Sequence, residues 1–112
     1  MLTTIDPPNG TNTSLTGIND HGQIVGGYDG PHGPQDFLLS ESTFTEIIDP
    51  DSPDILIPFG INNRGDIVGE LGGFGILFSK GRFTVIEVPD SIETFPRGIN
   101  DRGEVIVQGV VR

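Results

Sequence analysis

One phrase of ten residues constrains this chain more than any other feature. "GINDHGQIVG" at 17–26 returns as "GINNRGDIVG" at 60–69 and again as "GINDRGEVIV" at 98–107. Other phrases keep the same step: "FTEIIDPD" (44–51) matches "FTVIEVPD" (83–90) one period later, and "LTTIDPPN" (2–9) is the same phrase one period earlier. "FLLSESTF" (37–44) aligns with "ILFSKGRF" (76–83). From Gly17 to Gly60 to Gly98 the unit is thus roughly 40 residues long, within the range of known repeat architectures. Self-similarity at such a period marks a stack of one supersecondary motif, in which neighbours supply the burial that a single motif lacks.

Each unit reads as four short strands. The first leads into Gly-Ile-Asn, the second is "QIVGG", "DIVGE" or "EVIVQ", the third "DFLLS" or "GILFS", and the fourth "FTEII", "FTVIEV" or "LTTI". All are rich in β-branched or aromatic residues and bounded by Gly, Pro, Asn, Asp or Ser. No window places apolar residues at i, i+3, i+4 and i+7, so no helix is predicted. Between Val25 and Phe37 lies "GGYDGPHGPQD", where the next unit has the shorter "GELGGFG" between Val68 and Ile76. Both stretches read as loops, which absorb such differences at small cost.

A unit of Gly-Ile-Asn-x-x-Gly-x-Ile-Val-Gly, an apolar strand and then Phe-Thr-x-Ile-x-x-Pro resembles the HAF family of extracellular repeats. The resemblance spans residues 2–107. At the start of the third strand the family's His-Ala-Phe or His-Gly-Phe is replaced by "QDFLL" and "FGILF". The resemblance implies four-stranded antiparallel blades of a β-propeller and an extracellular setting, and it carries little chemistry.

On this reading residues 1–112 are one repeat domain: an N-terminal strand within 1–9, a first repeat at 10–51, a second at 52–90 and a partial third at 91–112. Propellers use about 4 to 8 blades, so these units are predicted to close a ring by self-association. Leu2, Thr3, Thr4 and Ile5 of one copy would then complete the sheet that Val105 and Val107 begin in another, giving a six-bladed homodimer. The rival is a three-fold fold closed within one chain, a β-trefoil or β-prism.

Composition narrows the functional classes. With no cysteine there is no disulfide, thiolate metal site or cysteine nucleophile. Six basic residues against 16 acidic ones leave a balance of −10, which repels phosphate backbones and argues against nucleic acid. No stretch approaches the length of a membrane span, and no secretory signal is expected in "MLTTIDPPNG". Gly and Pro, 17 and 9 in number, recur at periodic places and so read as ordered turns.

Two groups of residues are candidates for chemistry. The Asn-x-x-Gly turns could offer calcium oxygens from Asn19, Asp20, Asn62, Asn63, Asn100 and Asp101, but each turn holds at most one Asp where calcium favours several carboxylates. The structural reading is stronger: Asn19, Asn62 and Asn100 start tight turns by accepting main-chain amides two residues on, and Gly22, Gly65 and Gly103 take the left-handed corner of a three-residue hairpin loop. Neither a metal nor a cofactor is predicted. The second group is Tyr28, Asp29, His32, Gln35 and Asp36, where an amphipathic ring beside carboxylate and amide groups would suit a glycan or a protein segment. Phe74, in the matching stretch, reads as a further apolar contact or a buried anchor, and "DILIPF" (54–59) as an interface patch or a strand approaching the core. His21 and His32 fall in variable turns, and no nucleophile elbow, phosphate loop or zinc helix is present. A non-enzymatic binding or scaffold module is therefore expected. A glycan-active enzyme and a fragment of a longer array are the competing classes.

Overall fold

Strand pairing begins at the Asn-x-x-Gly turns, because each places two runs of β-branched residues side by side. A computed structural model describes residues 4–48, 54–87 and 91–111, and within them the chain forms ten strands and no helix. These are β1 (Thr11–Ile18), β2 (Ile24–Gly30), β3 (Gly33–Ser40), β4 (Thr43–Thr45), β5 (Leu56–Ile61), β6 (Ile67–Leu71), β7 (Phe74–Ser79), β8 (Arg82–Ile86), β9 (Ser91–Ile99) and β10 (Val105–Val111). They make two four-stranded antiparallel sheets, β1-β2-β3-β4 and β5-β6-β7-β8, and a two-stranded sheet of β9 and β10. No ladder joins one sheet to another among the described residues, as a trefoil barrel would require.

The sheets stack face to face. β5 lies across β1, β2 and β3, and β9 lies across β5, β6 and β7 in the same manner. Between the first two sheets Val25, Ile47, Leu56, Ile61, Ile67, Leu71 and Ile76 form one buried cluster, with Leu38, Phe78 and Phe83 packed against it. Burying such a side chain contributes about 1.5–3 kcal/mol. Phe37, also buried, packs its ring against Tyr28 and Phe44. Of "DILIPF", Leu56 and Pro58 are buried, while Ile55 and Ile57 are exposed.

Each first strand carries a bulge at the same place. The pairing skips Thr16, Phe59 and Arg97, the residue immediately before each Gly-Ile-Asn. A bulge adds a local kink and twist, and here the skipped residues contact those of the neighbouring sheet. Thr16 Oγ1 donates to the Pro58 carbonyl at 2.7 Å, and the Arg97 guanidinium lies over the Phe59 ring at 5.4 Å.

Two expectations need correction. The stretch 26–36 is not a loop: β2 and β3 stay paired from Ile24↔Leu39 out to Gly30↔Gly33, leaving Pro31 and His32 as a tight turn. The second unit does the same at a shorter length, with Leu71↔Phe74 as its last pair. The extra residues of the first unit thus lengthen a hairpin by the rungs Asp29↔Pro34 and Gly30↔Gly33. Glycine-rich composition misleads because Gly26 serves packing, not a turn: a Cβ there would sit 2.2 Å from the Ser14 carbonyl oxygen. The fourth strands are also shorter than read, since β4 ends at Thr45. Of the N-terminal strand, Leu2 and Thr3 lie outside the described residues, and Thr4 and Ile5 are in no strand, a strand being stable only against a partner edge.

Candidate functional site

The repeated phrase builds a joint between sheets. In each turn the Asn side-chain oxygen accepts two main-chain amides: Asn19 from His21 and Gln23, Asn62 from Arg64 and Asp66, Asn100 from Arg102 and Glu104, all at 2.9–3.1 Å. The Asn N–H bonds across the turn to the carbonyl of the residue four on, and the Gly N–H returns to the Asn carbonyl. Gly22, Gly65 and Gly103 have φ of +75°, +82° and +80°, which a side chain resists. The left-handed glycine corner is common to the three turns, and in each of them the Asn amide oxygen is taken up by two backbone donors.

The amide nitrogens do something the sequence did not disclose. Asn19 Nδ2 donates to Gln23 Oε1 at 2.7 Å and also to the Asn62 carbonyl at 2.9 Å. Asn62 Nδ2 donates to Asp66 Oδ2 and to the Asn100 carbonyl, both at 2.9 Å. One side chain therefore closes its own hairpin and bonds to the next one. The position after each Asn adds a second rail. Asn63 accepts the Asp20 N–H on Oδ1, gives its own N–H to Asp101 Oδ1, and bridges the Asp20 and Asp101 carboxylates through Nδ2 at 2.8 and 2.7 Å. These bonds, first from the Asn63 main-chain N–H and then from its side chain, hold the Asp101 carboxyl below the usual range. Nearby, the Ser79 hydroxyl, with a smaller contribution from the Asn62 amide, lowers Asp66 against the opposing effect of burial.

The second candidate group divides. Tyr28, Asp29 and Gln35 line one groove of about 230 Å³ between the first two sheets, together with Asn12, Ile55 and Ile57. Tyr28 OH donates to Gln35 Oε1 at 2.6 Å, and Asn12 Nδ2 donates to Asp29 Oδ2 at 2.9 Å, so the polar groups of the wall are held in place. His32 lies exposed at the turn beyond this groove, and Phe74 is an exposed strand residue at the turn of the second sheet, not a buried anchor. Asp36 is buried, and accepts the Ile47 N–H at 2.8 Å instead of facing the groove. Burial pushes its carboxyl up to about 6, the Ile47 bond opposes that, and Glu46 adds to it. The sequence reading missed Asn12, and it took Ile55 and Ile57 only within "DILIPF"; these two join the groove because β5 packs beside β2, which no local pattern announces.

Fold and site thus define a class: an all-β chain of antiparallel sheets, two of them four-stranded, joined through their hairpin turns. No protein family, no curated protein and no solved structure was found to match the chain.

Proposed function

We propose that this chain is a non-enzymatic binding and scaffold module made of β-propeller repeats of the HAF type, which assembles with copies of itself. The observation that carries the reading is the joint: the same atoms of the same phrase connect the first sheet to the second and the second to the third. A contact that repeats with the sequence period is the unit operation of a propeller or another stacked array. The face it leaves for recognition is the groove of Tyr28, Asp29 and Gln35, a half-buried ring flanked by a carboxylate and an amide. Such a wall suits a neutral glycan, whose C–H face stacks on the ring while its hydroxyls reach the polar groups, or a short protein segment.

Titration of a panel of neutral oligosaccharides and Gly/Pro-containing peptides tests the binding part. At least one probe is expected to bind, and to lose about tenfold or more in affinity on Tyr28→Ala or Asp29→Asn. Equal binding by both variants would move recognition away from the groove.

A further inference from the structure

The joint is made twice within the chain, and among the described residues both of its halves recur, at the first turn and at the last, without a counterpart. Asn100 Nδ2 donates to Glu104 Oε1 at 2.7 Å and, among the described residues, to no carbonyl of a following turn. The Asn19 carbonyl accepts the Gly22 N–H but, again among the described residues, no side-chain amide, whereas the Asn62 and Asn100 carbonyls accept both.

Apolar burial follows the same pattern. Val25 and Val68 are each 0% exposed, one at each internal joint, but the equivalent Ile106 is 69% exposed. On the opposite face Ile61 is 7% exposed while its equivalent Ile18 is 67% exposed. Leu15, too, is exposed where Pro58 and Pro96 are buried. The glycines register the approach of the strands: a Cβ on Gly17 would lie 3.2 Å from Gly60 Cα, and one on Gly60 would lie 3.4 Å from Gly98 Cα. One on Gly98 would meet only Ile106. Around it Gly98, Asn100, Glu104 and Ile106 line a shallow seat of about 450 Å³.

We infer that these two faces are the halves of a third joint: the seat on β9 and β10 of one copy takes Leu15, Ile18 and the Asn19 turn of a second copy, head to tail. The inference rests on the proposed repeat scaffold and adds to it the partner, the surface and the polarity. The occupant is a second copy because the same pair of faces already fits twice inside one chain, down to the glycine contact and the amide-to-carbonyl bond. If each copy offers its seat to the other, two chains close reciprocally around a two-fold axis.

The third joint differs from the internal ones in one respect. Along the second rail Asn63 separates the Asp20 and Asp101 carboxylates. Across the new contact Asp101 of one copy meets Asp20 of the other, with no amide between two like charges. The interchain joint is therefore weaker than the internal ones, and Asp20→Asn, which puts an amide back, is expected to tighten it by about tenfold.

Light scattering or sedimentation from about 5 to about 500 µM reads the outcome. Wild type is expected to rise from the chain mass of 12.0 kDa toward twice that value. Ile18→Lys and Ile106→Lys, both at exposed positions, should each stay at the single-chain mass with unchanged circular dichroism. An equimolar mixture should recover a two-chain species, since each variant retains the face the other lacks. If wild type stays at 12.0 kDa, self-association is wrong and the seat belongs to a different repeat or protein; groove binding is then still decided by its own titration. A two-chain wild type that ignores both lysines keeps self-association but overturns this surface. Variants that stay apart when mixed overturn the head-to-tail polarity.

Discussion

Asn19 Nδ2 donates to the carbonyl of Asn62, and at the same 2.9 Å Asn62 Nδ2 donates to the carbonyl of Asn100. The two steps along the chain are unequal, yet the bond is the same. The longer first step is absorbed by the extended β2–β3 hairpin and by the connection after the fourth strand. The hairpin varies in length, and the joint is held constant.

Asn62 is buried within the stack and Asn100 is exposed at its end. Asn62→Ala leaves the Arg64 and Asp66 main-chain N–H groups without their bonds to the side chain and takes one of its two bonds from the Asn100 carbonyl, which is expected to cost about 3 kcal/mol. Asn100→Ala loses only exposed bonds and should cost less than about 1.5 kcal/mol. Urea unfolding of the two variants measures the difference; equal losses would show that the inter-sheet bond adds nothing to the turn.

Gly26 and Gly69 occupy equivalent positions, where an added Cβ would lie 2.2 Å from the Ser14 carbonyl oxygen and 2.3 Å from that of Ile57. Main chain in a paired strand cannot step aside. Alanine at either site is expected to cost about 2–4 kcal/mol. Gly27→Ala is the control, since its Cβ would rest at 3.4 Å from the Gln35 carbonyl oxygen, and it should change stability by less than about 1 kcal/mol.

At the turn, Gly22 has φ of +75° and nothing near its missing Cβ, so only backbone strain opposes a side chain there. A β-branched residue adds the largest strain, and Gly22→Val is expected to cost about 2 kcal/mol. Asp20→Ala removes one exposed bond to Asn63 and should cost about 0.5 kcal/mol. Thermal melting in calcium-free buffer gives the order; the reverse order, or a calcium-dependent midpoint, would restore the ligand reading of the turn.

Asp36 makes stability depend on pH. Its folded value of about 6 lies above the ordinary 3.8, so the folded chain holds the proton more tightly than the unfolded one. The stabilisation is full below the ordinary value and is lost as pH rises through about 6. Asp66 acts in the opposite sense: its lowered value gives stability above the ordinary value that disappears as pH falls through the folded one. Between about pH 4 and 7 Asp36 should dominate, and Asp36→Asn is expected to flatten the decline and raise stability at the upper end by about 1–2 kcal/mol. Urea midpoints across this range check it, and a decline that survives in the variant would assign the effect to another group.

Much of the architecture is legible in the sequence. The repeat period, the absence of a helical pattern, the Asn-x-x-Gly corners and the order of strands in each unit all follow from local rules, in which a residue constrains its own neighbours. The hairpin of β2 and β3 is not legible, because glycine signals a turn and a close contact with the same letter. Gly26 and Gly27 read both as the end of the second strand and as the start of a loop, and Gly30 as loop, yet Gly26 stands where the Ser14 carbonyl leaves no room for a methyl group. The groove is half legible: Tyr28, Asp29 and Gln35 stand out as an unusual cluster, but Asp36 proves to be a buried acceptor, and Ile55 and Ile57 come from the start of β5 and the residue before it.

By itself the sequence determined the all-β class, the cores of most strands and the glycine corners, since alternation of side chains and the φ preference of glycine act over a few residues. Only the tertiary structure decided what Asn19 and Asn62 do with their second amide proton, which carboxylate is buried, and which isoleucines have a neighbour. Those outcomes depend on two sheets being brought face to face across a whole repeat of intervening chain, and no local preference encodes that distance. Ile18, Ile61 and Ile99 follow the same Gly in the same phrase; packing alone makes the first exposed and the second core.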